Sequence, residues 1–487
     1  MAQYRVWPAA EKLLGVEATF ETLPDAPLEV QLPTWRPGRY HGQDFAAALV
    51  ALEAHTAEGT SLPLVQTAPH AWQVPPTGSP RVTFRYQVYC PHLDAGTSYL
   101  APNLFYLNPI TWALYTPGEE DAPCSLELSG LTPDWQVAVA LPEASPGLYT
   151  AQSYHTLVDS PLVAAPNLLQ WAFRVDGVPF VAVFWGAALP DPAWRAGYEA
   201  AIAAVWRQHR AVFGHWPVAT PYYLLYLFTD QSFRHAVEHS SSSMYVLPEA
   251  TASSGSAFRA GVQGITAHEL FHTWNVKCLR PAALWPYRYD RHPVTALHYL
   301  TEGFTCYYEE LAQVRGGVID TPTFFARLGE TLTHIANRPV GPTSPSAAEQ
   351  SRHSWHVLSR YRPTGDTTTF YDTGQLIALA LDLTLRLHHG TSLDAVLRGL
   401  YQQYYLNGLG LPETGLQDYL EATTGTAWNA WFARWVFAPL YGPGVADGLR
   451  ELGLRYTETT ADGQRSVTLE PGDLPLEVLE RWLAPLG

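Results

Sequence analysis

The 487-residue chain has little charge, little sulfur and no long apolar run. Only 15% of its residues are charged, and it holds four cysteines and two methionines. The 29 Lys and Arg face 45 Asp and Glu, giving a formal net charge of -16 with no basic block anywhere. Nucleic acid and anionic membrane both need clustered cations, so neither is an expected partner. Cys90, Cys124, Cys278 and Cys306 include no CxxC pair and are too few for a disulfide framework in so long a chain. No stretch approaches the ~18 continuous apolar residues of a membrane helix. The start, MAQYRVWPAAEKLLGVEATF, lacks a basic segment followed by an apolar one. No signal peptide is therefore expected, and a cytoplasmic enzyme with reduced thiols is the plain reading.

What is present is apolar and aromatic. Hydrophobic residues make up 47%, with 17 Trp and 27 Tyr. A chain of this length exceeds one compact core, so two or three domains are expected. The first third alternates with period two: Leu14, Val16, Ala18 and Phe20, then Leu28, Val30 and Leu32 after the turn Pro24-Asp25-Ala26-Pro27, then Val82, Phe84, Tyr86 and Val88, and Val137, Val139 and Leu141. Many short strands between Pro and Gly residues predict a β-sandwich-like N-terminal domain reaching about residue 170. Phe173 to Val175 and Phe180 to Phe184 read as two more strands around Asp176-Gly177.

From Pro190 the period changes. Helices are expected at about 193–213, 260–277, 294–315, 322–336, 371–389, 392–405, 414–423 and 427–437, with a strand at Tyr222 to Phe228. The Ser-rich stretches His239 to Ser243 and Thr251 to Ser256 read as loops, as does most of Pro339 to Asp366. In the tail, Leu454 to Thr459 and Ser466 to Leu469 flank Ala461-Asp462-Gly463 as a hairpin, followed by a short helix near 475–483.

His268-Glu269-Leu270-Phe271-His272 carries the chemistry. Positions i and i+4 share one helix face, so both imidazoles can reach one zinc ion. Glu269 is one step round, where it can accept a proton from water. A catalytic zinc also needs a third protein ligand. Asp290, His292, His298, Glu302, Glu309 and Glu310 are the downstream candidates. Glu302 lies among Leu297, Leu300, Phe304, Tyr307 and Leu311, which would bury it, and a buried carboxylate needs a partner. Spacing alone does not separate Glu302 from Glu309.

TAHELFHTWNVKCLRP (266–281) followed by LTEGFTCYY (300–308) resembles the glycyl aminopeptidase family of metallopeptidases, which are gluzincins. LPTWRPGRY (32–40), LVDSP (157–161) and YDTGQLIALALDLTLR (371–386) are similar to further family segments, in the family's order over about residues 4 to 440. The resemblance implies a thermolysin-like catalytic domain with Glu302 as third ligand. It implies Glu238, in Val237-Glu238-His239, as the anchor for a substrate's free amino terminus, and Tyr371 as the donor to the oxyanion. His235-Ala236 stands where the family has Gly-Gly, and Thr373-Gly374 where it usually has Lys-Gly. Tyr307 and Tyr308 read as packing, Cys278 and Cys306 as ordinary buried thiols, and His235 with His239 as no second metal pair. Family members often continue into a PDZ domain; the residues after Tyr441-Gly442-Pro443-Gly444 are about half of what one needs.

The resulting expectation is a multidomain α+β protein. Residues 1–172 form the N-terminal β-rich domain, 173–445 the thermolysin-like catalytic domain with a helical extension, and 446–487 a short tail. The expected activity is that of a zinc aminopeptidase with one Zn2+ per chain, acting on peptides; the resemblance implies release of small residues such as Gly or Ala. A zinc endopeptidase and a catalytically silent peptide-binding scaffold are the alternatives.

Overall fold

The computed structural model describes all residues except 1, 24, 41, 187–191, 253–254, 339–343 and 357–369. Two compact units result: Met1–Leu189 with Val218–Ser253 and Tyr289–His292, and Pro190–Pro217 with Ser254–Arg288 and Pro293–Gly487.

The first unit is built from sheets. The largest has eight strands, in the order Glu143–Ser145, Leu148–Ala151, Cys124–Leu128, Ala2–Ala10, Leu13–Glu21, Arg81–Tyr89, Leu49–Thr56 and Ser61–Leu62. Its alternation is the one read from the sequence. Leu14, Val16, Ala18 and Phe20 are buried, as are Val82, Phe84, Tyr86 and Val88 on the neighbouring strand, where Val16 pairs with Tyr86. Successive side chains leave a strand on opposite faces, so one apolar set makes one buried face. A three-stranded sheet (Val65–Ala68, Ala71–Val74, Leu28–Gln31) and a four-stranded one (Gln136–Val139, Leu162–Ala165, Leu104–Leu107, Tyr99–Ala101) complete the β-rich region.

A five-stranded mixed sheet belongs to the same unit, in the order Leu169–Val175, Val178–Trp185, Tyr222–Thr229, Ser242–Pro248 and His235–Glu238. Its first two strands form the hairpin expected at Asp176-Gly177, where both turn residues have positive φ (49° and 85°). That conformation suits the twist of a two-residue hairpin, and Asp-Gly tolerates it. The sheet's Val183, Leu225, Leu227, Val237, Met244 and Val246 share one core with Leu104, Tyr106, Ala138 and Val163 of the four-stranded sheet. The border expected at 172/173 therefore falls inside the first unit, and this sheet packs with the β-rich region.

Helices dominate the second unit: Pro192–Phe213, Gly255–Phe271, Phe304–Arg315, Thr321–Asn337, Phe370–His388, Leu393–Gln403, Gly415–Thr424 and Asn429–Trp435. Two differences bear on the site. The helix expected over about 260–277 ends at Phe271. Its hydrogen bonds then mix spacings, with Thr273 N–H donating to Leu270 O and Lys277 N–H to His272 O. The helix expected over 294–315 begins only at Phe304 and is preceded by a π-helical turn, Tyr299–Gly303. Such turns are wider than an α-turn and recur at functional sites.

Elsewhere, Ala347–Arg352 is a helix inside a stretch read as loop. Ser346 and Glu349 form a reciprocal capping box there, which stabilises a helix of only six residues. Residues 339–343 and 357–366 of that stretch lie outside the described residues. Gly442–Glu451 is a further helix that periodicity did not reveal.

The tail is a hairpin, Arg455–Ala461 with Gln464–Glu470, and a helix, Leu476–Leu483. It packs within the second unit. Trp482 is fully buried, edge-on to Phe324 and Phe325, and its indole N–H donates to the Tyr307 hydroxyl at 2.7 Å. Among the described residues, no helix is long and apolar enough to cross a membrane.

Candidate metal centre and active site

His268 lies in the last turn of the helix Gly255–Phe271 and His272 directly follows it; the i, i+4 spacing, kept by the His272 N–H to His268 O hydrogen bond, brings their Nε2 atoms to 3.1 Å. Glu302, on the π-helical turn, completes a triangle: its Oε2 is 3.6 Å from His268 Nε2 and 3.3 Å from His272 Nε2. Zinc bonded at about 2.0–2.1 Å in tetrahedral geometry spaces its ligand atoms ~3.3–3.4 Å apart. The three edges bracket that value, so the donor set of His268, His272 and Glu302 fits a zinc ion.

Each imidazole is oriented through its other nitrogen. His272 Nδ1 lies 2.7 Å from the Asn275 carbonyl oxygen, to which it can only donate, leaving the lone pair on Nε2. His268 Nδ1 is 3.3 Å from Glu309 Oε2. Carboxylate and carbonyl partners of this kind fix the tautomer of a metal-binding histidine. Glu309, one of the carboxylates weighed as third ligand, therefore meets the far side of His268. Glu310 pairs with Arg327 at 2.8 Å, and His298 is fully buried with its ring 5.3 Å from that of Phe370. Asp290 and His292 belong to the first unit, where His292 Nε2 is 3.2 Å from the Thr34 carbonyl oxygen.

Charges are balanced within the cluster. Burial pulls the His268 imidazole down, but Cys306, Glu302 and Glu309 outweigh it and hold its pKa well above the ordinary value. Burial pushes Glu302 up, yet His272 and His268 hold it far below the usual carboxylate range. The buried carboxylate is thus kept ionised beside the two imidazoles.

Asn275 ties the segment that carries His272 to the one that carries Glu302. Its side-chain amide donates to the carbonyl oxygens of Leu300 at 3.0 Å and Thr301 at 3.2 Å, and to Thr305 Oγ1 at 3.2 Å. Gly303 and Gly374 lock the π-helical turn onto the helix Phe370–His388. A Cβ on Gly303 would fall 2.2 Å from Gly374 Cα, and one on Gly374 2.3 Å from Tyr299 O. Asn275, Gly303 and the Gly374 contact were not singled out in the sequence, because their roles depend on which backbones meet.

Glu269 is buried, and one of its carboxylate oxygens lies within 4.8 Å of a ring nitrogen of His272. Tyr371, in the first turn of its helix, has its ring centroid 6.4 Å from that of His268. Cys306 is partly exposed, with Sγ 3.9 Å from His268 Nδ1, so it is not the ordinary buried thiol expected. Cys278 is buried, and burial pushes its thiol up to about 11. All four cysteines are free thiols.

Glu238 ends the edge strand of the five-stranded sheet, opposite Ser243. It is buried, and its Oε1 has no hydrogen-bond partner among the described residues. A Cβ on Gly38 would fall 2.5 Å from its Oε2, and Gly38 has φ of +78°. Both facts account for glycine after Pro37. His235 Nδ1 is 3.5 Å from Asp94 and His239 Nδ1 3.0 Å from Asp159, so the two histidines serve different carboxylates.

By sequence profile, the chain matches the M61 peptidase N-terminal domain over residues 3–166 and M61 glycyl aminopeptidase over 262–377, together more than half its length. No curated protein sequence matches it significantly. Among solved structures, it is similar to an aminopeptidase N family protein from Idiomarina loihiensis, at 25% identity and a TM-score of 0.86, covering 95% of this chain and 82% of that one. The fold also resembles an M1 zinc metallopeptidase from Deinococcus radiodurans, at 16% identity and a TM-score of 0.55, over 91% and 93% of the two chains. A mutant of that metallopeptidase with a Tyr-Ser-Ala substrate bound superposes with a TM-score of 0.54 at 16% identity, over 91% of this chain and 94% of that one. With its two profile matches in order along the chain and a zinc-compatible donor triangle inside the second, the protein is a peptidase of the M61 glycyl aminopeptidase family.

Proposed function

We propose that this protein is a zinc aminopeptidase that binds one Zn2+ per chain through His268, His272 and Glu302 and releases small amino-terminal residues such as Gly or Ala. The carrying observation is the triangle of His268 Nε2, His272 Nε2 and Glu302 Oε2, with edges of 3.1, 3.6 and 3.3 Å. Zinc bound there supplies Lewis acidity and lowers the pKa of water. Glu269 takes a proton from the attacking water and returns it to the leaving amine. Tyr371 donates to the carbonyl oxygen as it gains charge. Glu238 pairs with the substrate's ammonium group; a buried carboxylate oxygen without a partner is costly until a cation meets it. A cytoplasmic setting, in keeping with four free thiols, belongs to the same proposal.

Two measurements test it. Glu269→Gln should lose about 10²–10⁴-fold in kcat at unchanged zinc content, as expected for removal of a general base. Full activity would end the mechanism. Free amino-acid anilides should be cleaved and amino-terminally blocked ones spared. Equal rates would favour an endopeptidase, and no turnover of any peptide would favour a binding scaffold.

A further inference from the structure

His268 Nδ1, Cys306 Sγ and a Glu309 carboxylate oxygen lie within 4.8 Å of one another, on the side of the imidazole opposite the zinc-compatible triangle. Nδ1 is 3.3 Å from Glu309 Oε2 and 3.9 Å from Cys306 Sγ. Nitrogen and oxygen ligands of zinc sit about 3.3–3.4 Å apart, and nitrogen and thiolate ligands roughly 3.6 Å. The first edge matches zinc, while the second is slightly wider and suits a larger soft ion. All three side chains are partly exposed, so an ion has access.

We propose that these three groups form a second site for a soft divalent cation, such as Cd2+ or excess Zn2+, and that its occupation excludes zinc from the first. The ion takes the thiolate, and the thiol proton goes to solvent. No electron is transferred. The thiolate selects soft ions over Mg2+ and Ca2+, which prefer oxygen.

The exclusion follows from imidazole chemistry. A neutral imidazole has one lone pair. Donation through Nδ1 leaves the His268 proton on Nε2. His272 Nε2 lies 3.1 Å away and keeps its lone pair because Nδ1 donates to Asn275 O, so it can accept that proton in a hydrogen bond. Each imidazole therefore has a satisfied arrangement in the second state too. This exclusion rests on His268 being a zinc ligand; the second site itself does not.

The test uses the full-length zinc-loaded protein titrated with CdCl2. Three readings are followed: the ultraviolet thiolate-to-cadmium charge-transfer band, zinc released after gel filtration, and hydrolysis of an alanine anilide. Wild type should develop a band of one thiolate per chain, lose zinc in step and lose activity. Cys306→Ser and Cys306→Ala should keep basal activity, develop no such band and tolerate at least tenfold more cadmium. The same band in the Cys306 variants would overturn the site, as would inhibition of wild type without a band. A full band with zinc retained would overturn the exclusion. Because the band needs no turnover, failure of the aminopeptidase reading would show separately, as absent hydrolysis before any cadmium is added.

Discussion

Gly374→Ala should weaken both the fold and the zinc site, although alanine is the better helix former. In an unstrained helix the substitution stabilises by about 1 kcal/mol. Here the new methyl carbon would lie 2.3 Å from Tyr299 O and 2.7 Å from Gly303 Cα, both backbone atoms with no rotamer to yield. Ordinary carbon contacts sit near 3.5–4.0 Å, so the π-helical turn and the helix Phe370–His388 must part by ~1 Å. Overpacking of this kind costs about 1–3 kcal/mol, occasionally more, which cancels the propensity gain and leaves a net loss of up to roughly 2 kcal/mol. The displaced turn carries Glu302, and metal sites tolerate about 0.2 Å in ligand distance. Zinc affinity should therefore fall at least ~10-fold, which is ~1.4 kcal/mol. Urea unfolding of the zinc-free protein and competition with a chromogenic chelator measure the two effects. Gly197→Ala is the control. Gly197 lies within the helix Pro192–Phe213, a Cβ there meets nothing within 4 Å, and the same substitution should stabilise. A Gly374→Ala protein as stable as wild type, with zinc affinity within twofold, would refute the reasoning.

The remaining expectations concern the supports of the site. Glu309→Ala should lower zinc affinity about 10–100-fold by freeing the His268 ring, while Glu310→Ala, beside it but paired with Arg327, should leave zinc affinity unchanged; the same chelator competition distinguishes them. Asp394 receives Arg315 at 2.9 and 3.0 Å, Arg386 at 2.9 Å and the Tyr308 hydroxyl at 2.9 Å, so Asp394→Asn should destabilise by about 3–5 kcal/mol at pH 7, read by urea unfolding. Burial alone would raise the Asp394 pKa, but Arg315 and Arg386 hold it below the ordinary value. Its stabilisation is therefore complete above the unfolded pKa near ~3.9 and is lost as pH falls through the folded value. The gap between wild type and Asp394→Asn should shrink only in acid, and a gap that closed between about pH 6 and 8 would contradict this.

Features that depend on neighbours along the chain were legible in the residues alone. Period-two alternation in Leu14 to Phe20 and Val82 to Val88 already named the buried face of the large sheet. The i, i+4 spacing of His268 and His272 already put two imidazoles within reach of one ion, because helix geometry is local. Asp176-Gly177 announced its hairpin through the backbone conformation those residues accept. Tertiary structure decided everything that depends on distance between elements. Glu302 and Glu309 sit on one stretch of chain seven residues apart; only the packing of that stretch on the helix Gly255–Phe271 sends Glu302 to the Nε2 atoms and Glu309 to Nδ1. Asn275 and the paired glycines gain meaning only once two backbones are in contact, and Cys306 acquires a place beside His268 the same way. The five-stranded sheet joined the first unit for a related reason: an apolar strand face packs on whichever face covers it, and periodicity does not name the partner.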